Sequence, residues 1–318
     1  MTAPSMTAAT TSAPNFASQL INGILAVKPL AQMAKHQART MMIKRAESIG
    51  VYWRQEVQAL RSRNGQCEFS PAWEAELKQI EAVDLVYPDY YLTSFHAYDQ
   101  GNLSWDAALE VEVAAHAVHA RIWPEAGTQG DALLRQSFHQ VLQQQIANPP
   151  RDIVDLGCSV GMSTFALQAV YPQARITGVD LSPYFLTVAQ YRSKQQAIPV
   201  TWVHAAAEAT GLPNASFDLV SAHLVFHELP QTAAIAILNE ARRLLRPGGY
   251  LAIMDMNPNS DVFVKMRPYV LTLLKSTEPY LDQYFALELE QAIYAAGFTK
   301  PTVVCNSPRH RTLVAQVR

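Results

Sequence analysis

The sequence is poor in cysteine and in charge. Its 318 residues include three cysteines, Cys67, Cys158 and Cys305, which lie far apart. An odd number of isolated cysteines excludes a disulfide framework and any C-x-x-C metal or redox motif, and it predicts a reducing, cytoplasmic location. Charged side chains make up 16% of the residues and the net charge is -2, where an average soluble domain has roughly 25% charged residues. This balance argues against nucleic acid as a partner, because phosphate binding needs a cationic surface.

Long apolar runs are also missing. No stretch approaches the roughly 20 apolar residues that a transmembrane helix needs. Residues 1–17 consist mainly of Thr, Ala, Ser, Pro and Met without charge and predict a disordered tail. A secretory signal is not predicted, because polar and helix-breaking residues interrupt this end of the chain: Pro4, Pro14, Asn22 and Gly23.

Residues 28–45 carry basic side chains and no acidic one. If this segment is helical, one face is apolar, formed by Leu30, Met33, Ala34, Met41 and Met42. One interpretation is a basic amphipathic helix that makes peripheral contact with an anionic membrane or an acidic partner. The other is a surface helix that packs its apolar side on the protein.

Residues 18–147 predict a region of helices without strands. The predicted helices cover 31–63, a stretch that starts at Ser70-Pro71 and is broken at Tyr87, then 106–123 and 131–146. Between them, residues 95–105 are dense in aromatic and polar side chains and match no regular element. We interpret 18–147 as a lid or substrate region.

After Pro150 short apolar strands alternate with helices. The predicted strands are 152–156, 175–180, 200–204, 217–222 and 250–255, followed by an antiparallel hairpin of 302–305 and 312–317. This alternation predicts an α/β fold whose largely parallel sheet is covered by helices on both faces. Ligands of such sheets bind beyond the carboxyl ends of the strands. The loops after the five strands should therefore surround one crevice.

The loop after the first predicted strand is glycine-rich. Gly157 and Gly161 allow a sharp turn and a close approach of the backbone to a ligand. The G-x-G-x-x-G pattern of dinucleotide-binding proteins is absent, because Thr164 stands where its third glycine would be. This absence lowers the odds for a nicotinamide cofactor.

Asp180 ends the second predicted strand, 19 residues beyond Gly161. An acid at this place can accept hydrogen bonds from both hydroxyls of a ribose. Asp180 could instead belong to a helix cap, in which Ser182 is the N-cap residue and Pro183 follows at the first helical position. Both interpretations hold together if Ser182 caps the helix and Asp180 stays free for the ligand.

Five segments of the second half follow one another in a characteristic order. They are IVDLGCSVGMSTFALQ (153–168), ITGVDLSP (176–183), AEATGLP (207–213), SFDLVSAHLVFHELP (216–230) and LLRPGGYLAIMD (244–255). Together they resemble the class I S-adenosylmethionine-dependent methyltransferases. The resemblance is closest to small-molecule enzymes of the ubiquinone and menaquinone biosynthesis type. It implies a methyltransferase domain over 148–318, a Rossmann-like seven-stranded sheet of order 3-2-1-4-5-7-6, S-adenosylmethionine as cofactor and S-adenosylhomocysteine as product.

The resemblance also implies roles for single residues around the cofactor. The first loop would hold its methionine part, through Asp155 and the backbone of Gly157, Cys158, Ser159 and Gly161. Further along the chain, Asp180 would bind the ribose, Leu181 would pack on the adenine, Glu208 would accept the adenine amino proton, the N–H of Ala209 would reach a ring nitrogen, and His223 would line the reactive end. Ser159 replaces the central glycine of the family, which is tolerable if its φ is negative.

His223 and His227 are the candidate catalytic residues. Methyl transfer is a direct displacement in which the enzyme mainly supplies proximity and alignment. A general base is needed only when the acceptor carries a proton, and histidine is the usual choice. Alternatively, His227 and Glu228 form a cap and a salt bridge at the start of the next helix. No HxxE-type or carboxylate cluster suggests a metal, so none is predicted.

Two aromatic segments are candidates for the acceptor pocket. One is the helical insertion at 257–285, with Tyr269 and Tyr284, and the other is residues 90–105, with Phe95, His96, Tyr98 and Trp105. Aromatic side chains at helical spacing also occur in ordinary cores, which is the alternative. As pocket walls they favour an apolar or aromatic acceptor.

These observations predict an enzyme that transfers a methyl group from S-adenosylmethionine to oxygen or carbon of a small, apolar or aromatic acceptor. One alternative is a protein methyltransferase that uses the helical front region as a docking platform. A second alternative is a non-catalytic protein that binds the cofactor. The oligomeric state is left open by the sequence.

Overall fold

Seven strands form a single sheet in the computed structural model, which describes residues 28–96 and 98–318 without the side chains of 28–36 and 38. The strands are β1 Asp152–Leu156, β2 Arg175–Asp180, β3 Val200–His204, β4 Phe217–His223, β5 Leu245–Met256, β6 Thr302–Val304 and β7 His310–Gln316. Their order is β3-β2-β1-β4-β5-β7-β6, with β7 antiparallel to both of its neighbours. The predicted fold class and strand order are confirmed. The predicted tail lies outside the described residues.

Helices precede the sheet and connect its strands. They are α1 Lys28–Ser48, α2 Trp53–Ser62, α3 Ala72–Ile80, α4 Trp105–His119, α5 Gly130–Gln145, α6 Met162–Val170, α7 Pro183–Gln196, α8 Gln231–Leu244, α9 Asp261–Val264, α10 Pro268–Thr277, α11 Leu281–Ala286 and α12 Leu289–Ala295. Short 3-10 turns lie at Asp89–Tyr91, Pro124–Gln129 and Phe226–Glu228. The helix predicted over 31–63 is wrong as a single element. Gly50, at φ 87°, ends α1 before α2 begins.

The described side chains of α1 pack on the front region. Ile43 and Ala46 are buried, and Met42 is half-buried beside them. Arg39 forms an ion pair with Glu110 of α4. Met41, which was predicted to share the apolar face, is 61% exposed. These contacts favour the packing interpretation for this end of the helix, whereas the predicted membrane contact through 28–45 stays a prediction.

The front helices and the sheet share their cores. Trp53, Trp73 and Leu109 form one cluster with Phe185 and Val188 of α7, so this part of the front rests on the helix after β2. Helix α5, which the predicted boundary at 147 assigns to the front, lies elsewhere. Its side chains pack in a core with those of β1, β4, β5 and α6. This core contains Leu134, Phe138, Val141, Leu142, Ile153, Leu167, Leu219 and Met254. The domain boundaries therefore remain a prediction.

The parallel strands all end at the same edge of the sheet. The register pairs Leu156 of β1 with Val179 of β2 and with Ala222 of β4, so the loops that follow these strands start side by side. Within the part of the chain that the structure describes, no helix is both long and apolar enough to cross a membrane.

Candidate active site

The loop after β1 is held in place by the backbone of β2. The N–H groups of Gly157 and Cys158 both donate to the carbonyl oxygen of Val179, at 2.8 and 3.1 Å. Gly157 has a φ of 69°, and a Cβ on it would lie 2.6 Å from Val225. This position therefore requires glycine, both for its backbone angle and for the close approach of the chain that follows β4.

Gly161 lies where the same loop enters α6. Its φ is 86°, and a Cβ there would lie 2.8 Å from the rings of Phe165 and Trp202. The N–H of Gly161 donates to the carbonyl oxygen of Cys158 at 2.9 Å. Burial raises the pKa of the Cys158 thiol well above its usual value. The loop is thus a tight turn with an un-ionised thiol facing the interior.

Ser159 does not meet the condition of a negative φ under which it would be a tolerable replacement for the family's glycine. Its φ is 50°, in the left-handed region that disfavours residues with a side chain. The N–H of Ser159 donates to Asp180 Oδ2 at 2.8 Å, and its buried hydroxyl has no partner among the described residues. The loop keeps the shape that a glycine would give it, at the cost of local strain.

Asp155 lies inside the sheet at the end of β1 and is fully buried. The hydroxyls of Ser163 and Thr164, in the first turn of α6, donate to its Oδ2 at 2.6 and 2.7 Å. Burial raises the pKa of Asp155, and these two hydroxyls oppose the rise. Asp155 therefore joins β1 to the first turn of α6, directly below the loop that it was predicted to complete.

Asp180, at the end of β2, was predicted to be free for a ligand, but both of its carboxylate oxygens already accept hydrogen bonds. Its Oδ2 accepts the N–H of Ser159 and its Oδ1 accepts the N–H of Ser182, each at 2.8 Å. The Ser182 hydroxyl accepts the N–H of Phe185 at 3.2 Å, which is the predicted N-cap. Each carboxylate oxygen keeps a second lone pair for a ribose hydroxyl. Burial raises the pKa of Asp180 to about 6, although the two N–H groups oppose the rise.

Glu208 follows β3 and is bound by a residue of the front region. The hydroxyl of Tyr90 donates to both of its carboxylate oxygens, at 2.8 and 3.0 Å. The N–H of Ala209, which was predicted to reach an adenine nitrogen, donates instead to the carbonyl oxygen of Ala206 at 3.0 Å. The N–H of Ala209 is thus engaged within its own turn, whereas the Glu208 oxygens share one donor and each keep a further lone pair.

His204, at the end of β3, connects the front region to this edge of the sheet. Its Nδ1 accepts the N–H of Ala82 at 2.8 Å, and its Nε2 lies 3.0 Å from the carbonyl oxygen of Leu181. The Tyr87 hydroxyl lies 3.2 Å from the same Nε2. Burial lowers the pKa of His204, which leaves it neutral, with Nε2–H donating to Leu181. Leu181 is thereby fixed and buried beside the ribose-binding candidate.

His223 and His227 lie in opposite electrostatic surroundings. His223, at the end of β4, packs its ring 5.5 Å from that of Phe138 in α5, and its buried Nε2 has no partner among the described residues. Burial, reinforced by the charge of Arg135, holds the pKa of His223 well below its usual value. His223 is therefore a neutral imidazole, as a proton acceptor must be.

His227 is paired with a carboxylate that the sequence predictions did not include. Its Nδ1 lies 2.7 Å from Asp255 Oδ1, and its backbone N–H donates to Asp255 Oδ2 at 3.2 Å. Burial opposes the charge of His227, but Asp255 outweighs it and raises the pKa of His227 to about 10. A histidine that is protonated at neutral pH cannot serve as a general base. The salt-bridge alternative is correct in kind, although the main partner is Asp255 rather than Glu228.

His96 and two glutamates complete what we call the acid–imidazole cluster, defined as His96, His227, Glu228, Asp255 and Glu278. His96 Nε2 lies 3.0 Å from Glu278 Oε1 and 3.6 Å from Glu228 Oε1. Burial opposes the charge of His96, but Glu278 and then Glu228 outweigh it and raise the pKa of His96 to about 9. Burial raises the pKa of Glu228 to about 7, against the influence of the two histidines.

The cluster contains residues that the sequence predictions missed. Asp255 could have been found, because it is an acid at the carboxyl end of a predicted strand. Glu228 entered only as a salt-bridge partner of His227. Glu278 carries no local signal at all, since it follows α10 in the insertion.

The predicted pocket aromatics are divided between the crevice and the core. Phe95 is buried with its ring 4.3 Å from that of His96, beside the cluster. The prediction that Tyr98 and Trp105 line the acceptor pocket is wrong, because both side chains pack against the front helices. Tyr98 donates to Glu110 at 2.6 Å, and the Trp105 indole donates to Glu74 at 2.7 Å.

The two predicted pocket tyrosines of the insertion after β5 lie in different surroundings. Tyr284 is fully buried, and its hydroxyl donates to the carbonyl oxygen of Met256 at 2.6 Å, so it acts as a supporting wall. Its ring centre lies 6.5 Å from that of His227. Tyr269 is half-buried on α10, where its hydroxyl accepts a hydrogen bond from Arg267 at 3.3 Å.

A cavity lies among the helices beside the sheet, apart from the acid–imidazole cluster. Its volume is about 620 Å³, and it opens between α5, α6 and α7, with Arg135, His139, Phe165 and Arg192 in its lining. Within the described residues, no group of three or more His, Cys, Asp or Glu side chains is arranged to hold a metal ion.

The strand ends fit the predicted cofactor. In the loop over 157–161, Cβ atoms at Gly157 and Gly161 would collide with neighbouring side chains, so the backbone there is bare. The carboxylates of Asp180, at the end of β2, and Glu208, after β3, come with the next two strands of the chain. The unpartnered Ser159 hydroxyl lies in the same loop. The fold and these loops are those of the class of α/β proteins that bind nucleoside-containing cofactors at the switch point of the sheet.

Comparison with known proteins agrees with this class. Residues 153–249 match the family described as a methyltransferase domain. A trans-aconitate 2-methyltransferase of Azoarcus sp. is 46% identical over 110 residues, which is 34% of this chain and 40% of that protein. A malonyl-[acyl-carrier protein] O-methyltransferase of Dechloromonas aromatica is 27% identical over 221 residues, which is 62% of this chain and 79% of that protein. The match to the Azoarcus protein thus spans less than half of its length.

A solved structure extends the likeness of fold to the front helices. A Nostoc punctiforme protein, provisionally assigned as an O-methyltransferase, superposes with a TM-score of 0.54 at 19% identity, covering 84% of this chain and 72% of the other. Residues 153–249 thus form a methyltransferase domain, and for this domain the predicted resemblance to class I S-adenosylmethionine-dependent methyltransferases, the enzyme class and the cofactor are confirmed.

Proposed function

We propose that this protein transfers the methyl group of S-adenosylmethionine to oxygen or carbon of a small acceptor in the cytoplasm. The single observation that carries the proposal is the connection between the loop over 157–161 and Asp180. The N–H of Ser159 donates to the carboxylate that ends β2, so the two elements that would hold the methionine and ribose parts are fixed relative to each other.

A small acceptor is favoured over a protein by the way the front region covers the strand ends. Tyr90 contacts Glu208, and His96 contacts Glu228 and Glu278. Partly buried charged groups next to an aromatic wall suit a small molecule that enters and is enclosed. When bound, the cofactor supplies an electrophilic methyl group on its sulfonium. The protein's own residues align the acceptor, exclude water and handle any proton.

Calorimetry with S-adenosylhomocysteine tests the cofactor part of the proposal, and transfer of tritiated methyl tests the acceptor part. We expect binding in the micromolar range of such cofactors, and label that moves from S-adenosylmethionine into the organic-solvent fraction of a cell extract. Label in precipitated protein would favour a protein acceptor instead. An absence of any binding would contradict the proposal as a whole.

A further inference from the structure

The free oxygen of Glu278 points to an unfilled hydrogen bond in the crevice. Glu278 is 6% exposed, and its buried Oε2 has no partner among the described residues. Its other oxygen is 3.0 Å from His96 Nε2. A buried carboxylate oxygen without a donor is unfavourable. A ligand that donates a hydrogen bond to Oε2 would remove this cost.

This oxygen is connected through His96 to the turn after β4, which passes close to the proposed cofactor loop. Val225, three residues before Glu228, touches the space above Gly157. Glu278 reaches Glu228 through His96, and so adjoins the loop that holds the cofactor.

The charges of the acid–imidazole cluster select among acceptors. Asp255 is paired with His227, and Glu278 is paired with His96. Glu228 shares both histidines, at 3.6 and 4.0 Å, without a cation of its own. The nearby Arg311 is directed to Glu290 at 3.8 Å. A further carboxylate on the acceptor would meet like charges, whereas a neutral hydroxyl would meet hydrogen-bond acceptors.

We propose that Glu278 is the proton acceptor for an uncharged hydroxyl acceptor, such as a phenol or an enol, with His96 and Glu228 as positioning residues. This inference rests on the proposed function. The acceptor oxygen bonds to the methyl carbon while the carbon–sulfur bond breaks and leaves its electron pair on sulfur. The hydroxyl proton passes to Glu278 Oε2. His96, whose side chain is 37% exposed, then connects Glu278 to solvent.

Histidine titration by NMR in the cofactor-free protein tests the arrangement without any turnover. We expect His96 to titrate well above its usual pKa in the wild type, and Glu278→Gln to lower that value by about one unit or more. Asp282→Asn removes a 70% exposed carboxylate of the same insertion and is the matched control, with no expected shift of His96. A wild-type His96 that titrates near 6.5 would overturn the proposal.

The chemical stability of the product tests the acceptor class. Tritiated methyl from S-adenosylmethionine is transferred into a solvent extract of small metabolites, and the labelled product is treated with alkali. Methyl ethers keep the label, whereas methyl esters of carboxylates release it as volatile methanol. We expect retained label and at least a hundredfold slower transfer by Glu278→Gln with unchanged affinity for S-adenosylhomocysteine. Released label, or undiminished transfer by the variant, contradicts this inference alone. Loss of S-adenosylhomocysteine binding in the wild type contradicts the proposed function.

Discussion

The crevice has two halves that are built in different ways. The proposed cofactor half consists of the loops after β1, β2 and β3, where Asp155 and Asp180 are held by backbone N–H groups and hydroxyls of adjoining segments. Asp180, for example, accepts the N–H of Ser182 two residues on. The proposed acceptor half is the acid–imidazole cluster, where side chains from four separate segments meet. His96 comes from the front region and Glu278 from the insertion after β5.

This difference implies that the two halves respond differently to mutation. In the cofactor half a lost carboxylate removes ligand contacts and the anchors of a loop. In the acceptor half each charge compensates another in a buried place, so a lost partner leaves an unbalanced charge. Changes in the first half should appear mainly in cofactor affinity, and changes in the second half mainly in stability, proton binding and turnover.

The largest expected effect is that of Asp180→Ala on cofactor binding. The variant removes two charge-assisted hydrogen bonds to the ribose, each worth about 1.5–3 kcal/mol, and releases Ser159. We expect the affinity for S-adenosylhomocysteine to fall about a thousandfold, measured by calorimetry at pH 7.5. Asp261→Ala, which removes an 84% exposed carboxylate, is the matched control. Equal affinity in the Asp180 variant would remove this residue from the cofactor half.

The wild type should also bind the cofactor more weakly in acid. Because burial raises the pKa of Asp180 to about 6, the carboxylate gains a proton as the pH falls through that value. Its protonated form is a poorer acceptor for ribose hydroxyls. We expect the affinity for S-adenosylhomocysteine to decline between pH 7.5 and 5.5. A flat profile would mean that Asp180 stays ionised.

Asp255→Asn should have the largest effect on the acceptor half. It removes the partner of the buried His227, and breaking such a pair costs about 3 kcal/mol, measured by denaturant unfolding at pH 7. Asp255 raises the pKa of His227 to about 10, above its ordinary value. The stability that this pair contributes is therefore fully present below pH 6.5 and lost as the pH rises through 10.

The pH dependence separates the ion pair from a simple packing defect. Wild-type stability should fall between pH 7 and 10.5, whereas the Asp255→Asn variant should lose much less over the same range. Asp261→Asn serves again as the exposed control and should follow the wild-type curve. If variant and wild type lose equal stability on alkaline titration, the charge of His227 does not contribute to folding.

Much of the cofactor half could be predicted from the sequence, because its signals are local. The alternation of strands and helices fixes where the loops after β1 and β2 lie. Asp180 and Ser182 follow directly from strand and cap chemistry. Two features of this half could not be predicted because they depend on backbone conformation. A serine does not indicate that its φ is positive, as it is at Ser159, and only the folded loop brings the N–H of Ser159 to Asp180.

The acceptor half could not be predicted to the same degree, because its contacts join distant parts of the chain. His96 of the front region meets Glu278 of the insertion after β5, and His227 meets Asp255, 28 residues further along the chain. No periodicity or spacing in a single sequence encodes such pairs. His223 and His227 illustrate the consequence. Their residue type was informative, but burial and then Arg135 lower the pKa of His223, whereas Asp255 raises that of His227, and both charged partners come from other elements.

Tyr90→Phe tests the place where the front region touches the cofactor half. The Tyr90 hydroxyl occupies both oxygens of Glu208, which was predicted to bind the adenine amino group. Removing one hydrogen bond worth about 1 kcal/mol should raise the affinity for S-adenosylhomocysteine about fivefold. Tyr87→Phe is the control, because its hydroxyl contacts His204 instead. An unchanged or lower affinity in Tyr90→Phe would remove Glu208 from the adenine site.

Ser159→Gly is the smallest expected effect, and it tests whether the strain in the cofactor half serves a purpose. A left-handed backbone destabilises a residue with a side chain by about 1–2 kcal/mol, and glycine removes this strain. Glycine also has more conformational freedom in the unfolded chain, which lowers the gain in stability by about 0.5–1 kcal/mol. The variant should therefore be more stable by about 0.5–1 kcal/mol in denaturant unfolding. Ala215→Gly, at φ 47° away from the crevice, should gain a similar amount. If only Ser159→Gly loses stability or cofactor affinity, the buried Ser159 hydroxyl takes part in the site, because relief of strain alone acts equally at both positions.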